Sequence, residues 1–192
     1  VQWSVVAAGV SVTFNSVGIG NNWRARDITP LLLSVTSTSD KPTAAWIQWE
    51  VPDADGDHVL WGRQITLAPQ STTSTWLYAP TKTSDNNGTA WTIRLRSWEQ
   101  SEPTGELHVF RFSPQSVSAS LVDATEGRIA VFGTRRLGLS GYGPISPFET
   151  KQEATKIVSG LTADDLPDAW PSYLSLDALV WADATPQFSF RQ

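Results

Sequence analysis

Over its first hundred residues the chain alternates apolar and polar side chains with a period of two, in short runs rich in β-branched and aromatic residues. The runs predict half-buried strands at residues 2–8, 10–17, 31–37, 44–51, 58–67, 74–78, 89–98 and 106–113. Turn chemistry separates them at residues 18–22, 39–42, 53–57 and 84–88, all clusters of Gly, Asn, Asp, Ser or Pro. Two of the runs set the expected faces. Ala45, Ile47, Trp49 and Val51 lie on one side of their strand and Trp46, Gln48 and Glu50 on the other, so Trp46 is expected on the more exposed face. Trp91, Ile93 and Leu95 likewise oppose Thr92, Arg94 and Arg96. One apolar face and one wet face per strand predict antiparallel sheets packed as a sandwich, and no stripe of helical period occurs before residue 125.

The pattern then changes. Residues 128–133 form a short, continuously apolar run ending in glycine, which reads as a strand buried on both faces. A Gly- and Pro-rich connection over 137–147 leads to further apolar runs at 155–161 and 177–182. Between these runs Thr162, Asp164 and Asp165 signal a helix start that Pro167 keeps short, and Thr185-Pro186 marks another start. Such runs predict the opening of a parallel sheet that three strands do not complete. The expected fold is therefore mainly β, with an antiparallel β-sandwich over residues 1–124 followed by a truncated α/β segment, a parallel βαβ start, over 125–192.

Three segments carry a resemblance to a known family. Residues 22–30 (Asn-Trp-Arg-Ala-Arg-Asp-Ile-Thr-Pro) run into the Leu31–Val35 strand, and residues 63–69 pass through Ala68-Pro69 to Thr75-Trp76-Leu77-Tyr78. Leu166-Pro167-Asp168-Ala169-Trp170 is followed by Asp177-Ala178-Leu179-Val180. In this the chain resembles bacterial membrane-anchored proteins in which an immunoglobulin-like β-sandwich precedes a class I glutamine-amidotransferase-like, flavodoxin-like domain. The resemblance implies an extracytoplasmic location, periplasmic or at the cell surface, with anchoring by segments outside residues 1–192. It carries over no catalytic residue, because nothing in the chain matches that family's cysteine or its His-Glu partners.

Charge narrows the partners. A formal net charge of −5 with 14 scattered Lys and Arg gives no basic stripe for nucleic acid. The expected partners are proteins or other domains of the same polypeptide. Cysteine is absent, which removes disulfides and thiolate chemistry, and no cofactor motif is present. Asp53, Asp55 and Asp57 are the candidate metal ligands, alternating carboxylates beside Gly56. Counted from Asp53, the twelfth position, where an EF-hand would place its bidentate Glu, is Gln64 beside Ile65, neither of them an acid, and an ordinary acidic turn is the preferred reading. Trp46, Trp61, Trp76 and Trp98 are the candidate sugar-stacking platform, weighed against ordinary core packing of large aromatics. His58 and His108 sit in no catalytic spacing, residues 138–143 lack the Gly-x-Ser-x-Gly form, and Asn87-Gly88-Thr89 suits a hairpin turn as well as a glycan. A non-catalytic interaction or architectural module is the expected function, with a carbohydrate-binding module or a fragment of an amidotransferase-like enzyme as alternatives.

Overall fold

The alternating strands close into two sheets whose apolar faces meet. A computed structural model describes residues 3–7, 9–53, 55–82, 90–99, 102–135, 137–139 and 155–183. The first sheet holds β1 (Trp3–Ala7), β2 (Val10–Val17), β4 (Ile28–Ser37) and β7 (Thr72–Pro80), in that order. The second holds β6 (His58–Leu67), β5 (Thr43–Pro52), β8 (Trp91–Glu99) and β9 (Glu102–Phe112). All neighbours in both sheets are antiparallel. The chain crosses between sheets after β4, β6 and β7, and β2-β4-β7 facing β6-β5-β8-β9 is the strand order of an immunoglobulin-like sandwich, with β1 as an added edge.

The core follows the predicted faces. Ile47, Trp49, Ile93, Leu95 and Phe110 from one sheet bury against Val12, Phe14, Leu31, Leu33 and Val35 from the other. A chain of rings runs through it: Phe14 stacks on Phe112 at 3.8 Å, and Trp91 stands edge-on to Phe112 at 5.4 Å. Trp91 also meets Trp23 at 5.6 Å and Trp49 at 4.6 Å. Among the described residues the buried indole N–H groups of Trp23, Trp49 and Trp91 have no hydrogen-bond partner, so ring packing and burial of apolar surface hold these side chains rather than polar contacts.

Beyond the sandwich, β11 (Gly127–Phe132) lies between β12 (Thr155–Leu161) and β13 (Ala178–Trp181), and both pairings are parallel. This is the parallel start that the apolar runs predict. The helix expected after Thr162 is instead a 3₁₀ turn, Ala163–Asp165, in which the Asp165 carboxylate accepts both the Thr162 N–H and its hydroxyl. A second 3₁₀ turn, Trp170–Ser175, follows with Pro171 in its first turn. The alternation missed two three-residue strands, β3 (Asn22–Arg24) and β10 (Ser120–Val122), which pair in parallel. Among the described residues no helix is long and apolar enough to cross a membrane.

The two parts share a core. Ile19, on the turn between β2 and β3, is fully buried against Ala130, Phe132, Val158 and Leu161, with Leu166, Tyr173 and Leu176 around them. Beside it Gly20 adopts φ +59°, and a Cβ there would fall 2.2 Å from the Val158 side chain. Only glycine tolerates both the left-handed backbone and this approach. Gly20→Ala is expected to lower stability by about 1–3 kcal/mol, read as a urea-midpoint shift at unchanged m-value.

Candidate functional site

At the open side of the sandwich, β6 is the edge strand, and its residues His58 to Gly62 are all exposed. Trp61 pairs with core Trp49 across the ladder and so points to the inner side, yet it is 39% exposed because it overhangs the core. On β7, Leu77 faces the core, whereas Trp76 and Tyr78 alternate to the opposite face of their sheet. That face is where the segment after β12 docks. Trp76 is 7% exposed.

Asp168, from the Leu-Pro-Asp-x-Trp segment, closes the arrangement. Arg63 Nη1 donates to Asp168 Oδ2 at 2.8 Å and to the Trp76 carbonyl at 3.2 Å, while the Tyr78 hydroxyl donates to Asp168 Oδ1. The Asp168 loop is braced from behind by Tyr173, whose hydroxyl donates to the Pro167 carbonyl at 2.7 Å, and by Ser172, whose hydroxyl donates to the Ala169 carbonyl at 2.6 Å. Burial first, and then the hydrogen bond to Asp168, hold the Tyr78 phenol above its ordinary pKa, so it stays a proton donor across the physiological range. Burial and the Asp168 charge push Tyr173 up to about 12. Trp61, Gly62, Arg63, Trp76, Tyr78 and Asp168 line a cleft of about 470 Å³. Gly62 has no room for a side chain, since a Cβ there would lie 2.6 Å from the Ile47 carbonyl oxygen on the neighbouring strand.

The four candidate tryptophans therefore divide. Trp61 and Trp76 line this cleft, whereas Trp46 and Trp98 stack on each other at 4.9 Å and 27°, with Trp46 half-buried on the face of β5 turned away from the core. No single sheet face carries all of them. In the acidic loop, Asp53 Oδ1 accepts the N–H groups of Asp55 and Asp57 at 3.0 and 2.9 Å, the geometry of an ordinary Asx turn. No group of three metal-ligating side chains occurs among the described residues. Residues 84–89, 140–143 and 185–186, which hold the glycosylation-like triplet, most of the Gly-rich segment and the last helix signal, lie outside the described residues.

His58 faces Glu50, which also receives Arg94 Nε on Oε2 at 2.6 Å. Burial opposes the Glu50 charge, but the hydrogen bonds from Arg94 and His58, with their charges, outweigh it and hold the carboxyl below its ordinary value. A depressed carboxyl pKa contributes stability that is present above the unfolded value and is lost as pH falls through the folded one. Wild-type protein is therefore expected to lose stability as pH drops below about 4.5, and Glu50→Gln to flatten that part of a chemical-denaturation series against pH. His108 lies elsewhere, with Arg96 and Ser97 on a second cavity of about 380 Å³ at one end of the sandwich.

Arg63, Tyr78 and Asp168 were not singled out individually by the sequence pattern, although all three stand in segments that carry the family resemblance, Arg63 and Tyr78 in one and Asp168 in another. No family model matches the chain, and no curated protein sequence matches it. Among solved structures, the chain is similar to the CARDB domain of the PF1109 protein from Pyrococcus furiosus, at 8% identity and a TM-score of 0.33, covering 59% of this chain and 87% of that one. It is also similar to CsgH of R. palustris, at 10% identity and a TM-score of 0.30, covering 61% and 92%. Part of a GH3 β-glucosidase from Bifidobacterium adolescentis aligns at 13% identity and a TM-score of 0.32, covering 57% of this chain and 17% of that one. Likenesses of this size carry no functional argument.

Proposed function

We propose that the chain is a non-catalytic module of an extracytoplasmic, membrane-anchored bacterial protein, presenting a fixed composite surface to protein partners or to other domains of the same polypeptide. The observation that carries this reading is the joint. Arg63, Tyr78 and Asp168 tie the sandwich edge to the segment after β12, and the shared core around Ile19 ties its base. A joint fixed at two places holds one relative orientation, which is what an architectural or recognition surface requires and what a hinged enzyme lid does not. In the same site the Asp168 carboxylate has both oxygens committed, one to Arg63 and one to Tyr78, so it serves to position rather than to exchange protons. The extracytoplasmic and anchored parts of the proposal rest on the three sequence segments that carry the family resemblance.

The test has two arms. The purified chain is expected to turn over none of a broad panel of ester, amide, glycoside and phosphoester substrates. Turnover that survives chelation of metals overturns the non-catalytic reading. Protease added to intact cells producing the full-length protein is expected to reach this module, and protection from it overturns the extracytoplasmic reading.

A further inference from the structure

We infer that the cleft between Trp61 and Asp168 seats a neutral saccharide. The inference rests on the reading of the chain as a non-catalytic recognition module and names the ligand of its joint. Three observations meet here. The first is an apolar wall, since the 39%-exposed Trp61 offers indole surface beside the nearly covered Trp76, and the C–H faces of a pyranose pack on such rings. The second is a donor and an acceptor side by side. Arg63 uses Nη1 toward Asp168 and the Trp76 carbonyl, its 42%-exposed side chain has no other hydrogen bond among the described residues, and each Asp168 oxygen keeps a second lone pair. A vicinal diol, which both donates and accepts over a short span, matches that pairing. The third is charge. The Arg63 cation and the Asp168 anion cancel, and no other ionisable group but the protonated Tyr78 phenol lines the cleft, so nothing in it selects a charged ligand.

The volume agrees: about 470 Å³ lies within the range of pockets that bury a small organic ligand. The polar pair is also held before any ligand arrives, because Tyr78 and Tyr173 fix the Asp168 loop. The stacked Trp46 and Trp98 rings do not provide such a site, since each covers a face of the other.

Titration calorimetry of the whole chain with cellohexaose, xylohexaose, laminarihexaose and N-acetylchitohexaose, against polygalacturonate and inorganic phosphate as anionic probes, tests this. At least one neutral oligosaccharide is expected to bind, with an affinity indifferent to added salt. Trp61→Ala is expected to weaken that binding by roughly tenfold or more, the loss of one aromatic stack, while its melting temperature and near-ultraviolet circular dichroism stay close to wild type. Trp46→Ala is expected to leave it unchanged. Absence of binding by every neutral probe, selective salt-sensitive binding of an anionic one, or equal binding by the Trp61→Ala variant would each overturn the saccharide assignment and leave the module reading standing. Cleavage of a bound oligosaccharide would instead overturn the module reading itself.

Discussion

Arg128→Met is expected to lower stability by about 3 kcal/mol, which for a chain of 192 residues corresponds to a melting temperature lower by roughly 6–12 °C. Arg128 is 1% exposed, and its guanidinium reaches in two directions. Nη2 donates to the Asn22 carbonyl at 2.6 Å, in β3 of the sandwich, and Nη1 to the Ser175 carbonyl at 3.3 Å, in the turn before β13. Burial lowers its pKa to about 10, which leaves it cationic at neutral pH, with Asp27 and Asp177 as the nearby balancing charges. Methionine fills much of the volume but takes the side-chain donor from the Ser175 carbonyl and one of two donors from the Asn22 carbonyl, which keeps the Ile19 N–H at 3.0 Å, and that deficit sets the size of the loss. Arg128→Lys is expected to recover only part of it, because a single ammonium point cannot span two acceptors that a planar fork reaches together. Differential scanning calorimetry of the three proteins checks the ranking.

Trp91→Ala is expected to cost about 3–5 kcal/mol, the range for removing a large aromatic from a packed core. Trp91 is 4% exposed and touches Trp23, Trp49 and Phe112, so its removal opens a void bounded by three other rings. Urea denaturation measures the loss, and near-ultraviolet circular dichroism should lose the signal of the coupled indoles at the same time. Trp91→Phe, which keeps a ring against Phe112 and had no N–H bond to lose, is expected to cost less.

Most of the sandwich was legible because its strands have one dry face and one wet one. β2 and β6 begin and end where the alternation and its turns place them, and the buried set on β5 and β8 is the one the pattern picks out. The parallel strands were legible by a different signal, short apolar runs, nearly continuous in β11 and interrupted by Lys156 and Ser159 in β12. β3 and β10 were not, since three residues hold too little of any period. The cleft was harder still. Trp61 stood among the candidate stacking tryptophans, but the pattern did not separate it from core packing; its exposure follows from β6 being the edge strand, which is a property of sheet order and not of the local run. Arg63 meets Asp168 across 105 residues of chain, and no spacing rule connects them. Pattern recognised the motif around Asp168 but not what its carboxylate holds.

The placement of Ile19 limits how this sequence can be recombined. A side chain from the first part plugs the core of the second, with a glycine beside it that admits no larger neighbour. A crossover near residue 124 that joined either part to a foreign partner would leave Ile19 without its socket, or the socket without its plug. The two parts therefore fit as a matched pair: a larger side chain at Val158 or Leu161 would press on Gly20 and Ile19, and exchanging either part as an independent cassette is expected to destabilise the product.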